Sequence, residues 1–134
     1  MEISSLRSKR INIFRKRERL RLRRDISLLF KSGSAVQNED FVILYRKNGL
    51  DYSRIAISVR KKFGKANRRN KLRRWVRECF RLNKDSIPAG YDFLIIARKS
   101  LSEKFEKSNY WTVCKTLLNN FERLINEESN IGSD

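Results

Sequence analysis

Between positions 63 and 81 the chain reads FGKANRRNKLRRWVRECFR, and eight of these nineteen residues are Lys or Arg against a single acid, Glu78. Cationic side chains at that density do one kind of chemistry well: they neutralise phosphate. At about 100° per residue, Leu72, Trp75, Val76 and Cys79 fall on one side of a helix with Phe80 at its margin. Arg69, Asn70, Arg73, Arg74, Arg77 and Arg81 spread over the opposite arc. Like charges so spaced repel by roughly 0.2–0.5 kcal/mol per pair, a cost that a bound polyanion offsets. A merely solvated basic face is the plain alternative, and the near absence of interleaved acids argues against it.

For breaking bonds the sequence offers little. It has no His, the commonest acid–base residue. Asp40 and Asp51 lie near strand ends, Asp92 early in a strand and Glu78 on the basic helix, and no two are spaced to build a two-metal site. Asp92 and Glu78 read instead as ion-pair partners of nearby arginines. No glycine-rich phosphate loop occurs, and without His or CxxC a structural zinc site is excluded. Cys79 and Cys114 fall on apolar helix faces and are expected as buried thiols in a reducing cytosol, not as a disulfide. The chain is expected to hold nucleic acid rather than to cut it.

The totals agree. Lys and Arg number 32 against 15 Asp and Glu, a net charge of +17 and a pI near 10.6, the footprint of a nucleic-acid binder. An anionic membrane is the competing polyanion, yet no apolar run approaches the roughly 20 residues of a spanning helix and no lipidation motif is present. The 134 residues make one domain. The first residues are basic but lack the apolar core of a secretory signal. Residues 1–19 are expected as a flexible basic arm, 20–126 as the folded domain and 127–134 as a frayed acidic tail, in a cytoplasmic protein.

The positioning elements follow from periodicity. A short helix spans about 22–31, with Leu22, Ile26, Leu29 and Phe30 on one face and Gly33 as its stop. Strands are expected over 34–38, 41–47 and 52–61, the last two joined at Asn48-Gly49, a hairpin turn pair. In 52–61, Ser53, Ile55, Ile57, Val59 and Lys61 alternate with Tyr52, Arg54, Ala56, Ser58 and Arg60, so one face is apolar and the other basic. No Pro or Gly interrupts 65–83, Asn67 can cap the basic helix that follows it, and a loop holding Pro88 leads to a central strand over 91–97. Ser100 and Glu103 suggest a capping box for a helix to about 107, and Asn109 opens a last helix. The expected fold class is α+β: a single domain ordered α-β-β-β-α-β-α(α), with a four-stranded, mostly antiparallel sheet and helices packed on it.

The run Phe63-Gly64-Lys65-Ala66-Asn67-Arg68-Arg69-Asn70-Lys71-Leu72-Arg73-Arg74-Trp75-Val76-Arg77 resembles the signature of the bacterial ribonuclease P protein subunit. The family pattern sets an apolar residue, Ala three later, two spacers, Arg-Asn, a basic residue, an aliphatic and two more basics. The resemblance extends over about 18–125 through RLRRDISLLFKSG, FVILYRKNGLDYSRIAISVRKKFGKA and GYDFLIIARKSLSEKF. The central motif here is Arg69-Asn70-Lys71 where Arg-Asn-Arg is commoner, so the third position keeps charge but not the guanidinium fork.

Membership implies a fold like the second domain of ribosomal protein S5, with a left-handed β-α-β crossover through the basic helix. It implies a non-catalytic subunit of the ribonucleoprotein endonuclease that removes the 5′ leader of precursor tRNA, with chemistry carried by the RNA and its Mg²⁺. The implied partners are the catalytic RNA subunit and precursor tRNA, with no membrane and no obligate protein partner. By position, Arg68, Arg69, Asn70, Lys71, Arg73, Arg74 and Arg77 would dock on the catalytic RNA. Ile26, Phe30, Arg60, Lys61, Lys65, Arg98 and Lys99 would line a cleft for the leader. Many relatives carry Phe where this chain has Ile26, which weakens a stacking platform there. A structural RNA-binding protein of ribosomal type, without a role in tRNA processing, is the alternative that the same charge suits.

Overall fold

The computed structural model describes residues 14–132, with side chains to 129. Helix α1 spans Arg23–Ser32; strands β1, β2 and β3 span Ser34–Gln37, Phe41–Lys47 and Arg54–Ser58. The basic helix α2 is Ala66–Leu82, strand β4 is Tyr91–Ala97, and α3 and α4 are Lys99–Lys104 and Tyr110–Gly132. The sheet order is β1-β2-β4-β3; β2 is antiparallel to both its neighbours, while β3 and β4 run parallel and are joined through α2. The α+β architecture with its mixed four-stranded sheet and four helices is the expected one. The hairpin between β2 and β3 is not: Gly49 turns the chain at φ +75°, but β4 sits between the two strands. Apolar on both faces, β4 loses least by taking the central place.

The pleat sorts side chains into two cores. Phe41, Ile43 and Tyr45 of β2, Ile55 of β3 and Phe93 and Ile95 of β4 face Leu72, Val76, Cys79 and Phe80 of α2 and Val113, Leu117, Phe121 and Leu124 of α4. On the other face Leu20, Leu29 and Leu94 form a smaller cluster, with Ile26, Leu44, Ala56 and Ile96 packed on it. Helix α1 covers only part of that face.

Local signals set the ends, with corrections. α2 starts at Ala66, ahead of the expected cap: Lys65, extended at φ −62° and ψ 163°, occupies the cap position, and Asn67 lies inside the helix, where its Oδ1 takes the N–H of Arg68 at 2.8 Å. α3 starts behind Arg98, and the Ser100 hydroxyl donates to the Glu39 carbonyl instead of closing a capping box. Asn109 does cap α4: its Oδ1 accepts the Thr112 N–H at 3.0 Å. β1 ends at Gln37 because Asn38 Oδ1 accepts the N–H groups of Asp40 and Phe41, and β3 is the short central part of its expected span.

Three further expectations change. Residues 14–19, assigned to a flexible arm, lie against the domain. Phe14 packs edge-on to Phe80 at 5.7 Å, buried Glu18 pairs with Lys84 Nζ at 2.8 Å, and Arg19 bridges to Ile55 at the free edge of β3. The rest of that arm lies outside the described residues. Residues 127–132, assigned to a frayed tail, continue α4 to Gly132, and the last two residues of that tail lie outside the described residues; Tyr45 and Tyr91 donate to Glu127 at 3.3 Å and Glu128 at 3.2 Å. Burial first, then the Glu127 and Glu128 charges, push the Tyr45 phenol up to about 12. Finally, Cys79 and Cys114 form a disulfide, because packing α2 on α4 brings their Cα atoms to 5.5 Å, within bridging reach.

Candidate nucleic-acid interface

Two cationic hollows open on the domain. The first, about 680 Å³, runs along α2 and is lined by Asn70, Arg73, Arg74, Arg77, Glu78 and Arg81, with Phe14 and Arg19 from the N-terminal segment as its other wall. The buried face of α2 fixes the helix, so its opposite arc has to face outward. Asn70 Oδ1 accepts from Arg73 Nη1 at 2.9 Å, and Arg81 hydrogen-bonds Glu78, holding that carboxyl below its usual range. The Arg77 guanidinium is pushed down by partial burial and by its like-charged neighbours Arg19 and Arg73. Crowded cations of this kind are relieved by an anion with several phosphates.

The second hollow, about 530 Å³, opens on the part of the sheet that α1 leaves uncovered. Its floor is the cross-strand pair Val42–Ile96 of β2 and β4, with Phe63 and Ala97 beside it. Arg60 and Lys62 come from the end of β3, Arg98 and Lys99 from the end of β4, and Ser102 and Glu103 from α3. Running parallel, β3 and β4 end on the same side and deliver their following residues to one rim. The Arg98 Nη1 donates to the Asn38 carbonyl at 2.8 Å, which holds its guanidinium toward the β1–β2 turn. Lys99 is exposed, with Glu103 no nearer than 3.9 Å. An apolar floor under a cationic rim suits a strand whose bases lie against the aliphatic side chains while its phosphates pair with the rim.

Of the fourteen residues singled out from the sequence, Asn70, Arg73, Arg74 and Arg77 meet in the first hollow and Arg60, Arg98 and Lys99 in the second. The others stand elsewhere. Arg68 is tied into the fold: Nη2 donates to the Ser102 carbonyl, Nη1 lies 3.4 Å from Glu106 Oε1, and the guanidinium covers the rings of Phe63 and Phe105. Gly64, at φ +153°, makes room for it, since a Cβ there would meet Arg68 Cδ at 2.5 Å. Arg69 Nε donates to the Gly64 carbonyl at 3.1 Å, and Lys71 Nζ lies over Trp75 at 5.2 Å. Ile26 packs into the smaller core, Phe30 projects 65% exposed from α1, and Lys61 and Lys65 are exposed around the turn before α2.

Sequence reading missed Phe14 and Arg19, which lie in a stretch without apolar period, and Val42, Ile96 and Lys62. Val42 and Ile96 alternate with core residues on their strands, which marks a second apolar face but not that it stays partly open. Among the described residues no three His, Cys, Asp or Glu side chains come together to hold a metal, and no helix is long and apolar enough to cross a membrane.

Known proteins are similar to this chain in sequence and fold. The family model described as "Ribonuclease P" matches residues 14–124. A "Ribonuclease P protein component" of Thermotoga maritima is 62% identical over 111 residues, which cover 83% of this chain and 95% of the relative. The solved structure of the RNase P protein from Thermotoga maritima superimposes with a TM-score of 0.75 at 62% identity, covering 79% of this chain and 96% of that one. That of the Staphylococcus aureus RNase P protein gives 0.72 at 30% identity, covering 80% and 94%.

Proposed function

This chain belongs to the ribonuclease P protein family, and from that premise we propose that it is the protein subunit of the ribonucleoprotein that removes the 5′ leader of precursor tRNA. The observation that carries this reading is the pair of separate cationic hollows on one small domain. One, along α2, is shaped for a folded RNA surface; the other, over Val42 and Ile96, for a few single-stranded nucleotides. In this reading Asn70, Arg73, Arg74 and Arg77 dock on the catalytic RNA, while Arg60, Lys62, Arg98 and Lys99 hold the leader phosphates. Lys61 and Lys65 flank the same turn and extend that positive rim. The subunit works in the cytoplasm, with RNA as its partner and without an obligate protein partner.

The physical role is bridging. A leader lying on the floor of the second hollow is held without its bases being read, because apolar contact with Val42 and Ile96 and phosphate pairing at the rim do not distinguish one base from another. Mature tRNA has no leader to place there, so the chain favours precursor. In this reading the Mg²⁺ of the reaction is bound mainly by the RNA, where it supplies activated water. The chain's own residues lower the phosphate repulsion around the scissile bond and so let the RNA work at dilute Mg²⁺.

The test is affinity for precursor and mature tRNA, measured on the catalytic RNA with and without the chain. The chain is expected to raise precursor affinity selectively. An equal effect on both tRNAs contradicts the bridging role and favours a structural RNA-binding protein.

A further inference from the structure

We propose that Trp111 is a stacking platform for one unpaired base of the RNA that docks along α2, a contact beyond the arginine groove. The inference rests on that docking reading. Trp111 is 75% exposed, more than any other large apolar side chain among the described residues. Leaving an indole in water forgoes much of the burial that keeps such rings inside. The ring is nevertheless held: Tyr110 packs edge-on against it with centroids 5.1 Å apart, and Tyr110 itself seats on the main core. The turn that carries both is fixed by reciprocal hydrogen bonds, Thr112 N–H to Asn109 Oδ1 at 3.0 Å and Asn109 N–H to Thr112 Oγ1 at 3.1 Å. An indole so positioned loses little freedom when a base lies on its open face.

Its place in the fold names the ligand. The Cys79–Cys114 disulfide ties the start of α4 to the part of α2 that carries Glu78 and Arg81, lining residues of the arginine groove, and Tyr110 lies within the fields of both. Trp111, three residues before Cys114 on α4, therefore stands near that end of the groove, where a nucleic acid running past the arginines can meet it. Lys115, one helical turn further and exposed, continues the positive charge past it. An apolar protein partner would bury these cations without counter-charges, whereas a nucleotide offers both a π-face and a phosphate.

Trp75→Phe leaves Trp111 as the only tryptophan, and the probe is an in vitro transcript of a family catalytic RNA, with heparin as a polyanion that has no bases. RNA is expected to quench the Trp111 emission and heparin to leave it unchanged. In the otherwise unaltered chain, Trp111→Ala is expected to weaken RNA binding on the order of ten- to a hundred-fold, the range that one stacked base is worth, and Trp111→Phe to restore most of it. This second measurement stands even if Trp75→Phe disturbs the core. RNA that binds with a steep salt dependence while Trp111→Ala has no effect overturns the platform alone. A chain that binds no RNA overturns both the platform and the docking reading.

Discussion

Arg54 on β3 grips Asp92 on β4 with two hydrogen bonds, Nε to Oδ1 at 2.8 Å and Nη2 to Oδ2 at 2.6 Å. The two are direct partners in the parallel register, and Asp25 of α1 reaches the same guanidinium at 3.5 Å. One fork thus fixes β3 on β4 and α1 above both, the three elements that frame the uncovered sheet face. Both partners are largely removed from water. Asp92→Ala is therefore expected to destabilise the fold by about 2–4 kcal/mol, because it strands a desolvated guanidinium. Arg54→Lys should recover only part of that, lacking the planar fork. Chemical denaturation checks both; wild-type stability in Asp92→Ala would show that the pair is not structural.

The disulfide joins α2 to α4 across a separation of 35 residues. A cross-link of that span removes about 3–4 kcal/mol of unfolded-state entropy. Thermal melts with and without reductant should differ by a correspondingly lower midpoint in the reduced chain, and Cys79→Ala should match the reduced form. Thiol titration of the denatured, unreduced protein is expected to find no free cysteine.

Tyr45 gives the fold an alkaline limit. Its phenol is raised to about 12 by burial and by Glu127 and Glu128, while an unfolded tyrosine ionises near pH 10. The folded state therefore holds this proton more tightly. The resulting stability, about 3 kcal/mol at most, is complete below pH 10 and is lost as pH rises toward 12. Tyr91, raised mainly by burial and then by Glu128, acts in the same direction. Tyr45→Phe should flatten the fall in stability through that window, as read by denaturation at a series of pH values. An unchanged slope would contradict the cause assigned here.

In the groove along α2, Arg73 and Arg77 carry no structural duty comparable to that of Arg68. Arg73→Ala with Arg77→Ala is expected to leave stability nearly unchanged and to weaken binding to the catalytic RNA. The slope of log affinity against log salt should fall by about one for each cation removed. An unchanged slope would place the RNA elsewhere on the surface.

Much of this fold was legible because its signals are local. Phe41 to Lys47 alternates and Tyr91 to Ala97 is almost wholly apolar, so β2 and β4 stand where expected, and the face of α2 holding Leu72, Val76 and Cys79 is the buried one. Pairing is not local. Asn48-Gly49 is a sound turn signal, yet which strand lies beside β2 depends on where a doubly apolar β4 can be buried. The disulfide likewise depends on the packing of two helices. At the candidate site, charge type identified the arginine arc but could not separate Arg68, whose guanidinium holds α2 to α3, from Arg73 and Arg77, which face the groove. Phe14 and Arg19 act through tertiary contacts made from an irregular segment, which leave no period to read.

In the proposed function this domain serves a catalytic RNA rather than cutting RNA itself. The most direct measurement is turnover of precursor tRNA at dilute Mg²⁺ by the chain alone, by a family catalytic RNA alone, and by the two together. Leader removal should be absent with the chain alone, slow with the RNA, and markedly faster with both. Cleavage by the unaccompanied chain, or an RNA whose rate at dilute Mg²⁺ ignores it, would contradict the account.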